Sequence, residues 1–135
     1  MATLLEQNIE GTIGMQKYLC TITWHNGQIL MDEPESVGGN DQGPDPFSTF
    51  LASLAGCTLS TLRMYIDRKE WDIPEIYISL NLSQEIGTTM ETIITREISF
   101  PTTIDPEQKE RLLTIAEKCP ISKLLKNKIT INTTI

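Results

Sequence analysis

At 135 residues and 15.2 kDa, with 39% hydrophobic and 21% charged side chains, the chain has the size and make-up of one globular domain spanning residues 1–135. A formal net charge of -7 and a pI near 4.6, without a basic stripe, exclude the counterion-releasing contacts on which nucleic-acid affinity depends. Three cysteines with no CxxC spacing argue against a secreted disulfide framework and a structural zinc site, and a lone histidine, His25, makes no metal site.

The N-terminus, MATLLEQNIEG, lacks the basic head and long apolar run of a signal peptide. No stretch reaches the ~18 to 20 apolar residues of a membrane span. The expectation is a cytoplasmic protein with neither a membrane nor a nucleic-acid partner.

Residues 4–13 are expected to form a first strand. Residues 17–24 place Tyr18, Cys20, Ile22 and Trp24 on one face and Leu19, Thr21 and Thr23 on the other, the period of two of a half-buried strand. Asn26-Gly27 then predicts a tight turn with positive φ angles, and residues 28–32 return as a third strand. ESVGGNDQGPDP, residues 35–46, is rich in glycine and proline and predicts a loop; no Lys follows its glycines, so it is not read as a phosphate cradle.

Asp45-Pro46 is a helix start, an N-cap acceptor followed by a residue that needs no donor. The helix is expected to run to about Lys69. From Pro46 to Leu62 it carries no charge, with Phe47, Phe50, Leu51, Leu54, Leu59 and Leu62 on more than one face and Ala52, Ser53, Gly56 and Ser60 elsewhere. A helix apolar all round is a buried helix. One chain of this size is too small to surround it, so a dimer burying both helices between two sheets is expected.

Two further strands follow: residues 76–83, with Ile76, Ile78, Leu80 and Leu82 on one face, and residues 90–100 after a turn at Gly87, with Ile94, Arg96, Ile98 and Phe100 in line. Arg96 is thereby set on an apolar face. Asp105-Pro106 opens a second helix to Lys118, whose apolar side is Leu112, Leu113, Ile115 and Ala116. Cys119-Pro120 breaks it, ISKLLKN adds a short helical turn, and KITINTTI closes as a strand.

A catalytic thiol must ionise, and burial opposes this while a nearby cation or helix N-terminus favours it. Cys57, in an uncharged helix, is by default a packing residue unless a cation is brought to it. Cys119 stands at the start of a short helix, where a reactive thiolate and an inert cap are both open. Cys20 reads as core filler on a strand face.

GGNDQGPDPFSTFLASLAGCTLSTL, followed 62 positions after Cys57 (119 minus 57) by IAEKCPISKLL, resembles the OsmC/Ohr family of osmotically inducible and organic-hydroperoxide-resistance proteins. The resemblance implies an α+β, OsmC-like fold: antiparallel sheets around a long buried central helix, in an intertwined homodimer. It also implies a peroxidase in which Cys57 attacks a hydroperoxide and Cys119 closes a disulfide, with a dithiol reductant such as a lipoyl group resetting the pair. No metal or organic cofactor is implied.

Phe47, Phe50, Leu51 and Leu54 would line the apolar substrate site. In the peroxidase members a glutamate ten residues before the first cysteine pairs with an arginine from the N-terminal strands. Here that position is Phe47, and no arginine precedes Arg63. Lys17 and Arg96 are the candidate replacements for the activating cation. The alternatives are a non-enzymatic binder of a small apolar ligand and a thiol redox sensor.

Overall fold

The computed structural model describes residues 1–87 and 90–135, and the chain divides into two compact units, residues 1–50 and 51–135. The boundary falls inside the long helix. The architecture is α+β with antiparallel sheets, in the order βββαββαα.

The N-terminal unit is a three-stranded meander, β1 (Glu10–Ile13), β2 (Cys20–Trp24) and β3 (Gly27–Met31), paired β1-β2-β3. The first two strands are shorter than alternation predicts. Residues 4–9 pair with nothing, and residues 16–19 turn the chain into β2, so Lys17 is an exposed turn residue rather than a strand residue. Trp24 pairs with Gly27, leaving His25 and Asn26 as the two-residue turn. Neither Asn26 nor Gly27 adopts positive φ. Glycine is wanted at 27 for space: a Cβ there would lie 3.1 Å from the Trp24 indole.

The glycine-rich segment is a loop, with one short 3-10 turn at Glu35–Val37, and Asp32 organises it. Asp32 is 2% exposed. Its Oδ1 accepts from the Glu33 and Tyr18 N–H groups at 2.8 and 3.4 Å, and its Oδ2 from Gln42 and Asn40 at 3.2 and 3.3 Å. The backbone comes so close at the two ends of this loop that a Cβ on Gly39 would run into the Glu33 carbonyl and one on Gly43 into that of Leu30. Glycine is the residue that fits both approaches.

Helix α1 runs Pro46–Arg68, with Asp45 as its cap, accepting from Ser48 N–H at 3.2 Å. It ends where Glu70 takes the left-handed conformation, φ 54°, and Trp71 N–H reaches back to the Ile66 carbonyl at 3.1 Å. Burial is one-sided within the chain. Leu54, Thr58, Leu62, Tyr65 and Ile66 form the buried stripe, whereas Phe47, Phe50, Gly56, Ser60 and Met64 are exposed. The expected all-round burial is therefore not met by one chain, because only a single layer covers the helix.

In the C-terminal unit, β4 (Tyr77–Glu85) pairs with β5 (Glu91–Ser99), putting Ile78 opposite Ile98, Leu80 opposite Arg96 and Leu82 opposite Ile94. The turn expected at Gly87 adjoins residues 88–89, which lie outside the described residues. Helix α2 (Pro106–Ala116) has the capping box that Asp105 predicts, with Gln108 as its reciprocal partner. Leu62, Ile66, Ile73, Leu112, Ile115 and Ala116 form the core with Tyr65, whose hydroxyl accepts from Arg111 Nε at 2.9 Å. Leu113 faces out, one position off that stripe.

Helix α3 (Pro120–Leu125) follows at once, capped by Cys119. KITINTTI forms no strand. Neither β4 nor β5 takes it as a neighbour, and alternation alone cannot satisfy a strand's backbone without a partner. Among the described residues no helix is long and apolar enough to cross a membrane.

Burial opposes the Asp32 charge, but the Gln42, Glu33, Tyr18 and Asn40 amides outweigh it and hold the carboxyl below its ordinary value. The stability this supplies is fully present above the unfolded aspartate pKa of about 3.9 and is lost as pH falls through the lower folded value. Urea midpoints measured at decreasing pH should therefore fall more steeply for the wild type than for Asp32→Asn. Parallel curves would show that the loop does not depend on this charge.

Candidate functional site

Cys57 lies in the middle of α1, one turn after Leu54 and one before Thr61, at the edge of the buried stripe, and is half-buried. Cys119 is 0% exposed, at the junction where α2 ends and Pro120 starts α3. The fold brings these two free thiols into one neighbourhood from 62 positions apart.

Their environments differ. Burial pushes the Cys57 thiol up, and its hydrogen bond with Cys119 adds to the rise; the Ile121 N–H and Thr61 hydroxyl only partly oppose it. For Cys119, burial also opposes ionisation, but four groups together outweigh it: the Cys57 thiol, the Ser122 N–H and hydroxyl, and the Ile121 N–H. Cys119 is held below the ordinary thiol value. None of these amides makes a tight cap bond to the sulfur, so the effect is the sum of several longer contacts.

Behind Ser122 stands Arg96. Its position in β5, between Ile94 and Ile98 and across from Leu80, points it inward, and its side chain is 13% exposed. A guanidinium so enclosed needs acceptors. One nitrogen, Nη1, donates to Thr58 Oγ1 at 2.9 Å and to Ser122 Oγ at 2.8 Å, while Nη2 reaches Glu117 Oε1 at 3.3 Å. Thr58 in turn donates its hydroxyl proton to the Leu54 carbonyl at 2.7 Å. Glu117 is also paired with Lys126, and these two cations outweigh its partial burial to keep it ionised below the ordinary glutamate range.

The apolar-face position of Arg96 is thus real, and its partners come from α1, the end of α2, and α3. Sequence reading missed Thr58, Glu117 and Ser122. Ser122 had a signal: it stands three residues after an N-cap cysteine, the position whose backbone and side chain turn back toward the cap. Thr58 and Glu117 had none, because only the register of β5 brings Arg96 to them.

A cavity of about 790 Å³ opens beside the network, walled by Leu54, Ile94, Ile98, Leu112 and Leu125, with Arg96, Glu117, Ser122 and Lys126 among its polar lining. Of the four expected apolar wall residues, Leu54 lines it. Phe47 and Phe50 present exposed rings on the first turns of α1, and Leu51 is half-buried. Lys17 belongs to the N-terminal unit and makes no ion pair among the described residues.

These features define an α+β protein with two juxtaposed thiols beside a partly apolar cavity. The family model for OsmC-like proteins matches residues 38–134, and the chain belongs to that family. In solved structures it is similar to an OsmC-like protein from Mycoplasma pneumoniae, at 22% identity and TM-score 0.70 over 98% of both chains. It is also similar to organic hydroperoxide resistance proteins from Elizabethkingia anophelis and Bacillus subtilis. The first has 21% identity and TM-score 0.65 over 93% of this chain and 91% of that one; the second has 20% and 0.65 over 89% and 91%. At these identities the likeness establishes the fold. A search of curated proteins found no match.

Magnitudes separate the contacts of Arg96. The pair with Glu117, whose side chain is 51% exposed, is worth less than about 1 kcal/mol, whereas enclosed charge-assisted bonds to hydroxyls are worth roughly 1.5 to 3 kcal/mol. Arg96→Met should lower unfolding free energy by roughly 2 kcal/mol in urea titration, and Glu117→Gln by under about 1 kcal/mol. Equal losses would show that the ion pair, not the hydroxyl contacts, holds the arginine.

Proposed function

We propose that this protein is a thiol-dependent peroxidase that reduces organic hydroperoxides, with Cys57 as the attacking thiol and Cys119 as the resolving thiol. The observation that carries the reading is that the fold sets the half-buried Cys57 in the neighbourhood of the fully buried Cys119, both as free thiols. A thiolate attacking an O–O bond becomes a sulfenic acid, and a second thiol within reach condenses with it to a disulfide. A dithiol reductant, such as a lipoyl group, would return the pair to the reduced state.

Arg96 supports this by its enclosed charge close to the chain of Cys119, through its 2.8 Å bond to Ser122 three residues on. The apolar walls of the cavity favour an organic hydroperoxide over hydrogen peroxide, and Leu54 carries that wall to the turn of α1 that precedes Cys57. A second reading has its own support: neither sulfur lines the cavity, which suits binding of an apolar ligand without chemistry.

The assembly in this proposal is a homodimer. The exposed face of α1, with Phe47, Phe50 and Met64 among small residues, is the surface a second copy would cover. Sedimentation at micromolar concentration should give the mass of two chains, and a monomer there would remove the dimer.

Stopped-flow mixing of the reduced protein with cumene hydroperoxide tests the chemistry. Oxidation should run at least ~100-fold faster than that of free cysteine. Cys57→Ser should be inert, and Cys119→Ser should give no intramolecular disulfide. A wild-type rate matching free cysteine would leave the ligand-binding reading.

A further inference from the structure

A guanidinium carries five N–H bonds, and Arg96 spends three of them, two from Nη1 on Thr58 and Ser122 and one from Nη2 on Glu117. Nothing among the described residues accepts from its Nε. Yet no fully enclosed side-chain nitrogen or oxygen there is left without a partner, so Nε is not sealed in the core. Arg96 lines the cavity of about 790 Å³, whose walls all belong to the unit 51–135. A mostly buried cation with donors to spare therefore borders a hollow of the size that takes small organic molecules.

The charge around that hollow is unlike that of the chain. Its lining carries Arg96, Lys109 and Lys126 against Glu110 and Glu117, a surplus of one positive charge (three minus two), whereas the whole chain carries -7. Glu117 is shared between Arg96 and Lys126, and Lys109 makes no ion pair among the described residues. Ile94 and Ile98 on β5 and Leu113 on α2 are among the apolar walls. A cationic ligand would add to the surplus, and a neutral apolar one would cover Arg96 while leaving its open donors without an acceptor, which is costly. A dianion would reverse the surplus beside Glu117.

We infer that the cavity binds an apolar monocarboxylate, its carboxylate on Arg96 and its hydrocarbon body along Ile94, Ile98 and Leu113; this rests on the cavity as a ligand site and not on the peroxide chemistry. A carboxylate has two oxygens to accept the open N–H bonds, and such charge-assisted bonds are about twice as strong as neutral ones. Its single negative charge brings the lining to neutrality. The hydrocarbon body displaces water from the apolar walls. Neither sulfur lines the cavity, so the ligand is held there unreacted.

Isothermal titration of the full-length chain with octanoate and with 1-octanol, which share a tail and differ in charge, tests this. Octanoate should bind at least ~10-fold more tightly than octanol. Arg96→Met should bring octanoate down to the affinity of octanol. Glu117→Gln removes the carboxylate that competes for Nη2 and should tighten octanoate by roughly 3-fold with octanol unchanged, a gain that misfolding cannot produce. Leu113→Glu puts a negative charge at a lining position that is already exposed, and should weaken octanoate by roughly 5-fold. A variant with both Cys57→Ser and Cys119→Ser should bind octanoate as the wild type does.

Octanol binding as tightly as octanoate would overturn the carboxylate and leave a cavity for neutral apolar ligands. No binding of either would overturn the cavity as a ligand site, and this inference with it. Octanoate affinity unmoved in Glu117→Gln and Arg96→Met would overturn Arg96 as the anchor, and unmoved in Leu113→Glu it would overturn the cavity as the location. Loss of octanoate in the double serine variant would move the ligand to the thiols and overturn a site separate from them.

Discussion

The C-terminal unit depends on one enclosed guanidinium. Arg96 occupies a core-facing position on β5 where its neighbours in register are Ile94, Ile98 and Leu80, so its charge must be met by whatever the helices place there. They place two hydroxyls at 2.8 and 2.9 Å and one carboxylate at 3.3 Å. These contacts join the strand to α1, to the end of α2 and to α3. The same bonds that make the arginine tolerable fix the spacing of the two segments that carry Cys57 and Cys119.

This ties electrostatics to packing in a way that composition conceals. The central stretch of α1 has no charge because its stripe must pack against α2, yet a thiol site needs a cation nearby. The one enclosed cation of the network comes from a strand: Arg96 on β5 donates to the hydroxyl of Ser122, three residues after Cys119. Arg96 also pairs with Glu117, joining β5 to the end of α2.

How much of this could be read from sequence follows from the range of each interaction. The capping signals Asp45-Pro46 and Asp105-Pro106 act within one turn, and the helices they predict form as expected. Alternation along residues 90–100 placed Arg96 inward because pleat geometry is local. Partner-dependent features were not legible: residues 4–9 and KITINTTI read as strand but have no strand beside them among the described residues. The tight turn was misassigned by one residue because Gly27 serves the Trp24 ring rather than a positive φ. The meeting of Cys57 and Cys119 was expected from family resemblance; the roles of Thr58, Glu117 and Ser122 required the fold.

Two enclosed charges, Asp32 and Arg96, are solved by different means, and the difference bears on how each region can change. Asp32 is held by four backbone N–H groups, which side-chain substitution at residues 18, 33, 40 and 42 leaves in place unless proline removes a donor. The loop it organises can therefore vary in side chains while keeping its path, limited by the close approaches at Gly39 and Gly43. Arg96 is held by side chains from residues 58, 117 and 122, each of which a single substitution can remove. Its surroundings can be retuned one group at a time. A fold whose loop is fixed by backbone and whose arginine network is fixed by side chains keeps its architecture while those side chains vary, which fits a chain that retains the OsmC-like fold near 20% identity.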